Sequence, residues 1–376
     1  MGREAVIVEA KRLPTGKRKG MYVNTRPEHM LSSLLKGLVE NVDFDPMEIK
    51  DLLVGCVTQT AEQGNNIARI SALMAGLPKE VAAMTLNRKC GSSQEAINQA
   101  AQGVIAGDYD VVIAAGIENM TRVPIGEDRV ESPSELTDRY EIISQGISAE
   151  RIATKWEISR QEMDELALRS HQLASRAREN GDFKRETLPI ELEGESVSDD
   201  EGIRPNTSLE KLGSLKSAFS NDGLITAGNS SQISDGAAGV IIMSREKAEE
   251  LNLKPRARII ARGVIGSDPT LMLEGPIPLT KQILDKAGLK VEDIDVFECN
   301  EAFASVVLAW MKEYKPNIEK VNPRGGAIAL GHPTGASGAR IMTTLLHELE
   351  DMDKRFGLQV MCCGGGMATA TIIERL

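Results

Sequence analysis

Asn87-Arg88-Lys89-Cys90-Gly91-Ser92-Ser93 closes a polar loop and opens an alanine-rich helix pattern. Val111-Val112-Ile113-Ala114-Ala115-Gly116 then reads as a buried strand. The same order returns late in the chain. Asn322-Pro323-Arg324-Gly325 leads to Gly335-Ala336-Ser337-Gly338, a helix pattern runs through Leu349, and Val360-Met361-Cys362-Cys363-Gly364-Gly365-Gly366-Met367 follows. Upstream of each copy lies another matched pair. Leu31 through Gly37 precedes the apolar run Ile49 to Val54, and Thr280 through Gly288 precedes Ile294 to Glu298. The copies are offset by roughly 235 to 250 residues, far beyond a solenoid period, so the chain reads as two similar halves. Short apolar strands alternating with helices predict an α/β fold with parallel sheets covered on both faces, the halves packed through their helices.

Residues 118–227 interrupt the pattern. Glu127 to Arg139 is charged and Glu191 to Asp200 is strongly acidic, as surface loops are, while Ser159 to Glu179 carries Met163, Leu166, Ala167, Ser170 and Leu173 on one helical face. The strand Gly239 to Met243 returns to the first half. The expected organisation is therefore residues 1–117 plus 228–248 as a first half, 118–227 as an inserted lobe, and 249–376 as a second half.

Composition narrows the function classes. The 376 residues are 41% hydrophobic and 26% charged, which excludes disordered and low-complexity classes. Aromatics are only 3%, and the net charge is −11, so neither stacking platforms nor a basic face supports nucleic-acid binding. Five cysteines, an odd number without framework spacing, suit a reduced compartment. No apolar run is long enough for a membrane span or a signal peptide, and Ile373-Glu374-Arg375-Leu376 is not a peroxisomal address. The expectation is a soluble cytoplasmic protein.

Cys90 stands at the start of a helix, where free N–H groups and the helix dipole favour thiolate, and so it is a candidate nucleophile; a packed structural cysteine is the alternative. Of four histidines, His171 and His347 fall in amphipathic helix patterns as surface or packing residues, and His29 is placed in a polar loop after Pro27. His332 differs, sitting in Gly325-Gly326-Ala327-Ile328-Ala329-Leu330-Gly331-His332-Pro333-Thr334-Gly335, a glycine-rich loop poor in charge that suits a rigid imidazole mount better than a phosphate cradle. Asn300, in Cys299-Asn300-Glu301-Ala302-Phe303, follows a strand end where α/β ligand sites gather, although a helix cap would read the same way. Cys362 and Cys363 admit a metal pair, a redox pair or two unrelated thiols; with no second Cys/His pair close by, a metal site is not expected.

Taken together, Asn87 to Ser93 around Cys90, Asn300-Glu301-Ala302-Phe303, Gly325 to Gly338 around His332, and Cys362 to Met367 resemble the thiolase family over essentially the whole chain. The resemblance implies a five-layer α/β/α/β/α core and reversible exchange of 3-ketoacyl-CoA plus CoA with acetyl-CoA plus a shortened acyl-CoA. It implies Cys90 as the acyl-thioester nucleophile and His332 as the group that activates it. Cys362, and not Cys363, is the implied acid/base for the acetyl-CoA α-proton. His332, with a water held by Asn300, is implied as one oxyanion hole, and the backbone N–H groups of Cys90 and Gly364 as the other. Arg204 matches the family position near the CoA nucleotide, Phe219, Ala227 and Ser231 the pantetheine arm, and Met272 and Phe303 the acyl pocket. Acetyl-CoA, CoA and 3-ketoacyl-CoA are the implied partners, with no metal or redox cofactor, no nucleic acid and no membrane, in a homodimer or, as the alternative, a homotetramer.

Three departures stand out. Ser144 occupies the position of a pantetheine-side His in short-chain biosynthetic members, Cys363 replaces an apolar residue, and Pro124 to Ile142 is short and acidic for a tetramerisation loop. Three other readings compete. A catalytically silent CoA-ester or lipid carrier would have lost catalytic residues, and a decarboxylating ketoacyl synthase would pair its cysteine with two histidines. A Cys362–Cys363 redox switch is the third.

Overall fold

The computed structural model describes residues 2–376; Met1, the first residue of the expected first half, lies outside them. The first half contributes strands β1 (Ala5–Arg12), β2 (Asp51–Gly55), β3 (Ala82–Leu86), β4 (Val111–Asn119) and β5 (Ser234–Ser244), with helices α1 (Pro27–Glu40), α2 (Ile67–Met74) and α3 (Ser92–Ala106). Between β4 and β5 the lobe supplies α4 (Gln145–Lys155) and α5 (Arg160–Asn180). The second half contributes β6 (Ala257–Gly266), β7 (Val296–Cys299), β8 (Phe356–Cys363) and β9 (Met367–Arg375), with α6 (Pro276–Ala287), α7 (Ala304–Tyr314) and α8 (Ser337–Asp351).

Two sheets result, ordered β3-β2-β4-β5-β1 and β6-β9-β8-β7, joined edge to edge where Val6 and Ile7 of β1 meet Arg258 and Ala257 of β6. The duplication extends to detail. Val321 bridges Phe297 of β7 in parallel, as β3 pairs with β2 in the first half. The strands are not all parallel, however. Only β2–β3, β2–β4 and β7–β8 run parallel, while β1, β5, β6 and β9 pair antiparallel with their neighbours. β4, parallel to β2, and β5, antiparallel to both its neighbours, are buried on both faces alike, so a continuous apolar run such as β5 carries no information on strand direction.

α3 and α8 pack side by side and are each covered by strands of both sheets. Their shared layer is built from Ala96, Ile97, Ala100, Ala101 and Val104 against Ala339, Met342, Leu345, Leu346 and Leu349, with Val112, Val240, Val296 and Ile373 from the sheets. Small residues on α3 allow both helices to fit one layer. Outside, α1 and α2 cover the first sheet, and α6 and α7 cover the second. This is the five-layer α/β/α/β/α core.

The lobe has no separate core. Ala149, Ile152, Met163, Leu166 and Ala167 of α4 and α5 join the cluster of Phe297, Phe303 and Trp310. Asp200, expected in a surface loop, is instead buried and ties the lobe to β1. Arg12 donates to its two oxygens at 2.7 and 2.9 Å and to Glu186 at 2.6 Å. The rest of Glu191 to Val197, and the segment 124–142 apart from a few half-buried positions, lie at the surface. No helix among the described residues is long and apolar enough to cross a membrane.

Leu345 is fully buried in the central layer, where its Cδ1 fills the space over Gly357 of β8. Leu345→Ala should destabilise the protein by about 2–5 kcal/mol, because two sheets and two helices cannot all collapse onto the void. A denaturant titration reads this as a lower midpoint, and an unchanged midpoint would contradict the central-layer assignment.

Candidate active site

Both central helices begin at the same end of the molecule, and the polar loops that precede them meet there. Cys90 follows Lys89, whose φ of 49° is left-handed and turns the chain sharply out of β3. Ser92 steadies the turn by donating its hydroxyl to the Lys89 carbonyl at 2.6 Å and accepting the Arg88 N–H at 2.9 Å. On the other side β8 ends in Cys362 and Cys363, and Gly364-Gly365-Gly366 makes the hairpin into β9, with φ of 84° and 77° at its last two residues. That hairpin places Gly364 beside Cys90, where the backbone N–H groups of Gly364 and of Cys90 itself favour the thiolate.

The expected thiolate does not form in the resting site. Burial pushes the Cys90 thiol up to about 11, and the two N–H groups only partly oppose it. The helix start favours thiolate, but desolvation outweighs it. Burial likewise pushes Cys362 well above the usual thiol range, with the neighbouring Cys90 next in importance. Cys363 lies on the opposite face of the strand, its sulfur receiving the Gly91 N–H, and burial raises its pKa as well. All five cysteines are free thiols.

His332 is buried, and its neighbours define its tautomer. The Ser337 hydroxyl gives its one proton to the Pro333 carbonyl at 2.9 Å, so it accepts Nδ1–H from His332 at 2.6 Å. Nε2 then carries the lone pair and faces Asn300 Nδ2 at 3.4 Å. Burial, with Arg340 adding like charge, holds the imidazole down at about 3, so it is neutral at physiological pH. Asn300 Oδ1 is buried without a protein hydrogen-bond partner.

Two buried carboxylates that the sequence reading passed over hold these loops. Glu118 in β4 accepts Val57 N–H at 2.9 Å, Thr58 N–H at 3.1 Å and Gln63 Nε2 at 2.8 Å. It also accepts Thr334 Oγ1 at 3.1 Å and Gly335 N–H at 2.9 Å from the His332 loop. Next to it, Gly335 and Gly116 meet as bare backbone: a Cβ on Gly116 would stand 2.3 Å from the Gly335 carbonyl oxygen. Glu301 accepts Ser170 Oγ at 2.6 Å, Asn322 Nδ2 at 3.0 Å and Ile328 N–H at 3.2 Å, which fastens Asn300 to the lobe and to the His332 loop. Burial raises the pKa of both carboxyls, and these donors oppose it.

Around this centre, Phe303 meets Phe219 edge-on at 5.9 Å between ring centres, and Met272 sulfur accepts the Gly365 N–H at 3.5 Å. Ser231 donates its N–H to the Ala302 carbonyl at 2.9 Å, and Ala227 is exposed on the same loop. Arg204 lines a cavity of about 380 Å³ with Lys211, Leu212 and Leu215, and its N–H is accepted by His171 Nδ1 at 3.1 Å. His171 and His347 are packing residues. His29 is exposed in the first turn of α1, where Pro27 begins a helix and not a loop. Ser144 caps α4 by accepting the Ile147 N–H at 3.3 Å. No group of three or more His, Cys, Asp or Glu residues able to hold a metal occurs among the described residues.

Residues 5–246 match the family model for the thiolase N-terminal domain, and residues 253–375 match that for the thiolase C-terminal domain. The chain belongs to the thiolase family. It is similar to a steroid 3-ketoacyl-CoA thiolase of Mycobacterium tuberculosis, 44% identical over 386 residues that cover 99% of this chain and 94% of the relative. It is equally similar to a 3-ketoacyl-CoA thiolase of Marinobacter nauticus, at 44% identity over 100% and 99% of the two chains. Among solved structures, the Bacillus anthracis acetyl-CoA acetyltransferase superposes with a TM-score of 0.92 at 38% identity, covering 100% of this thiolase and 99% of its own chain. These matches support thiolase activity, an acyl transfer, over the carrier and ketoacyl synthase alternatives.

A neutral resting Cys90 has a measurable consequence. Inactivation of the free thiolase by iodoacetamide should accelerate by about tenfold per pH unit from pH 7 to 9, because the thiolate fraction rises as pH approaches a pKa near 11. A rate that levels off below pH 8 would show a resting thiolate instead.

Proposed function

We propose that this chain cleaves 3-ketoacyl-CoA with CoA, and runs the reverse Claisen condensation, through a thioester on Cys90. The reading rests chiefly on one observation: a neutral, buried His332 turns its Nε2 lone pair to Asn300, while Cys90 is buried beside Gly364 and Cys362. In thiolysis, His332 Nε2 takes the Cys90 proton as the sulfur attacks the 3-keto carbon. The N–H groups of Cys90 and Gly364 receive the oxygen as it becomes negative, and each such donor is typically worth about a hundred- to thousand-fold in rate. The C2–C3 bond then breaks, its electron pair leaves as the acetyl-CoA enolate, and Cys362 gives its proton to C2. Asn300 and His332 hold the enolate oxygen, the Asn300 side through a water. CoA thiol next attacks the thioester, its proton passing to Cys362; the acyl–sulfur bond to Cys90 breaks, the sulfur recovers its proton from His332, and the shortened acyl-CoA departs.

The neutral resting state sets the order of events. Forming the Cys90 thiolate at pH 7 before substrate binds would cost on the order of 5 kcal/mol. Proton transfer to His332 is therefore coupled to attack, when the negative charge moves on to an oxygen that already has donors. This chemistry calls for no metal or redox cofactor.

Arg204, beside Lys211, is proposed to meet the CoA phosphates and so to reverse locally the acidic charge of the chain. Phe219, Ala227 and Ser231 would flank the pantetheine arm, and Met272 and Phe303 the acyl group. The named relatives include 3-ketoacyl-CoA thiolases, which favours acyl groups longer than acetyl. For assembly, we propose a homodimer across β3. This strand is the edge of its sheet, and it leaves Met84 41%, Leu73 49% and Met74 44% exposed beside unpaired backbone. The exposed segment 124–142 is a weaker basis for a tetramer. A reducing cytoplasmic setting suits five free thiols.

Intact-mass measurement separates the two cysteine roles. Acetyl-CoA should add one acetyl group to the wild type and to Cys362→Ala, and none to Cys90→Ser. Thiolysis should fall by at least about three orders of magnitude in both variants. Acetylation of Cys90→Ser, or full turnover by Cys362→Ala, would refute the assignment. Light scattering should give the mass of two chains, and Met84→Arg should shift it towards one; a wild-type monomer would exclude the β3 interface.

A further inference from the structure

We propose that Gln145 is a specificity residue of the acyl site, and that it selects 3-ketoacyl groups bearing a carboxylate a few carbons beyond the 3-keto carbon. The inference rests on the thiolase reading above and names a substrate class within it.

Gln145 is the first residue of α4, and its stem is placed by the Ser144 cap before it and by Gly146 after it. Its carboxamide lies directly on the backbone of Gly364: a Cβ added there would stand 2.4 Å from Gln145 Nε2. Gly364 lies beside Cys90, its N–H favouring the thiolate, so the amide adjoins the point where an acyl group would be attached. The surrounding wall is otherwise apolar. A Cβ on Gly146 would stand 2.1 Å from the Phe219 ring, Phe219 leans edge-on against Phe303, and Met272 sulfur holds the next residue of the hairpin, Gly365. A half-buried amide donor in such a wall is hydrated when the site is open and loses its water as the acyl group enters. An aliphatic chain leaves that donor unpaired, whereas an acyl group with its own acceptor re-forms the hydrogen bond. Lys89 bears on which acceptor. Its Cγ lies 4.0 Å from the same added Cβ, and its charge favours the anionic form of Cys90, so the neighbourhood favours an anionic oxygen over a hydroxyl.

The test compares 3-ketoadipyl-CoA, which transfers a succinyl group, with 3-ketohexanoyl-CoA, which transfers a butyryl group of the same carbon count. The readout is the ratio of their kcat/KM values on one preparation, in which any inactive fraction cancels. The wild type should favour 3-ketoadipyl-CoA. Gln145→Met, which keeps the side-chain length and removes the donor, should lower the ratio by about tenfold, mainly through KM for the carboxylated substrate. Gln145→Glu should lower it further, by adding like charge. A wild type that favours 3-ketohexanoyl-CoA, or ratios within about twofold of the wild type in both variants, would overturn the proposal. A wild type that turns over neither substrate would instead count against the thiolase reading itself.

Discussion

The burial of α3 and α8 in one layer between two sheets is the constraint on which the rest depends. A helix covered on every side is lined mainly by small and aliphatic residues, hence the alanines of α3 facing the aliphatic face of α8, although α8 also buries Arg340, His347 and Glu348. Both helices must also start at a common end if their lengths are to be buried together. Their preceding loops, one carrying Cys90 and the other His332, therefore converge without any contact having to be evolved for that purpose alone. Gly116 and Gly335 bring the backbones together where a side chain on either would hold them apart. The duplicated fold thus supplies the site: each half contributes one helix start, and the second half adds the hairpin that ends in Gly364.

Dry surroundings determine the protonation states. In water a thiol and an imidazole would differ by only about two units, and transfer between them would be easy. Here burial pushes the two apart, Cys90 up and His332 down, so the ion pair is the disfavoured state. This suits a nucleophile that meets an electrophilic ester, because charge appears on sulfur only as it is passed to a carbonyl oxygen with donors in place. Ser337 contributes by fixing Nδ1–H, which leaves Nε2 as the only basic nitrogen. Glu118 and Glu301 are positioning residues by the same logic. Each is a buried acceptor that gathers three or more donors from segments far apart in sequence, so that loops without regular structure are held as firmly as strands.

How much of this was legible in the sequence follows from how local each signal is. The helix start at Cys90, the glycine-rich mount of His332 and the strand-end position of Asn300 are local patterns; His332 and Asn300 meet at 3.4 Å, and the two helix starts meet where Ser93 accepts the Ala339 N–H. The two α/β halves were readable because duplication doubles each helix and strand signal, and the five layers followed only from the family resemblance. Strand direction was not readable, since the antiparallel β5 is buried as continuously as β4, which runs parallel to β2. Glu118 was missed because it extends a strand two residues beyond Gly116, and nothing nearby shows that Thr334 and Gly335 complete its shell. The Cys90 thiolate was misjudged for a related reason: the helix start is visible in sequence, but the burial that outweighs it comes from the other half of the molecule.

Gln145 extends that argument to specificity. The proposed nucleophile, base and oxygen donors come from the two halves and are tied to the central layer, so they would change little without disturbing the core. The wall against the acyl group comes instead from the lobe, through α4 and the loop of Phe219, and from the second half through Phe303 and Met272. α4 packs on α7 by small residues, Ala149 and Ala153, and its first residue is anchored by a hydroxyl cap and not by core packing. A substitution at Gln145 can therefore alter what lies over Gly364 without moving Gly364 itself. On this reading the chemistry is held by the duplicated core, and the choice of acyl group by a lobe that leans on it.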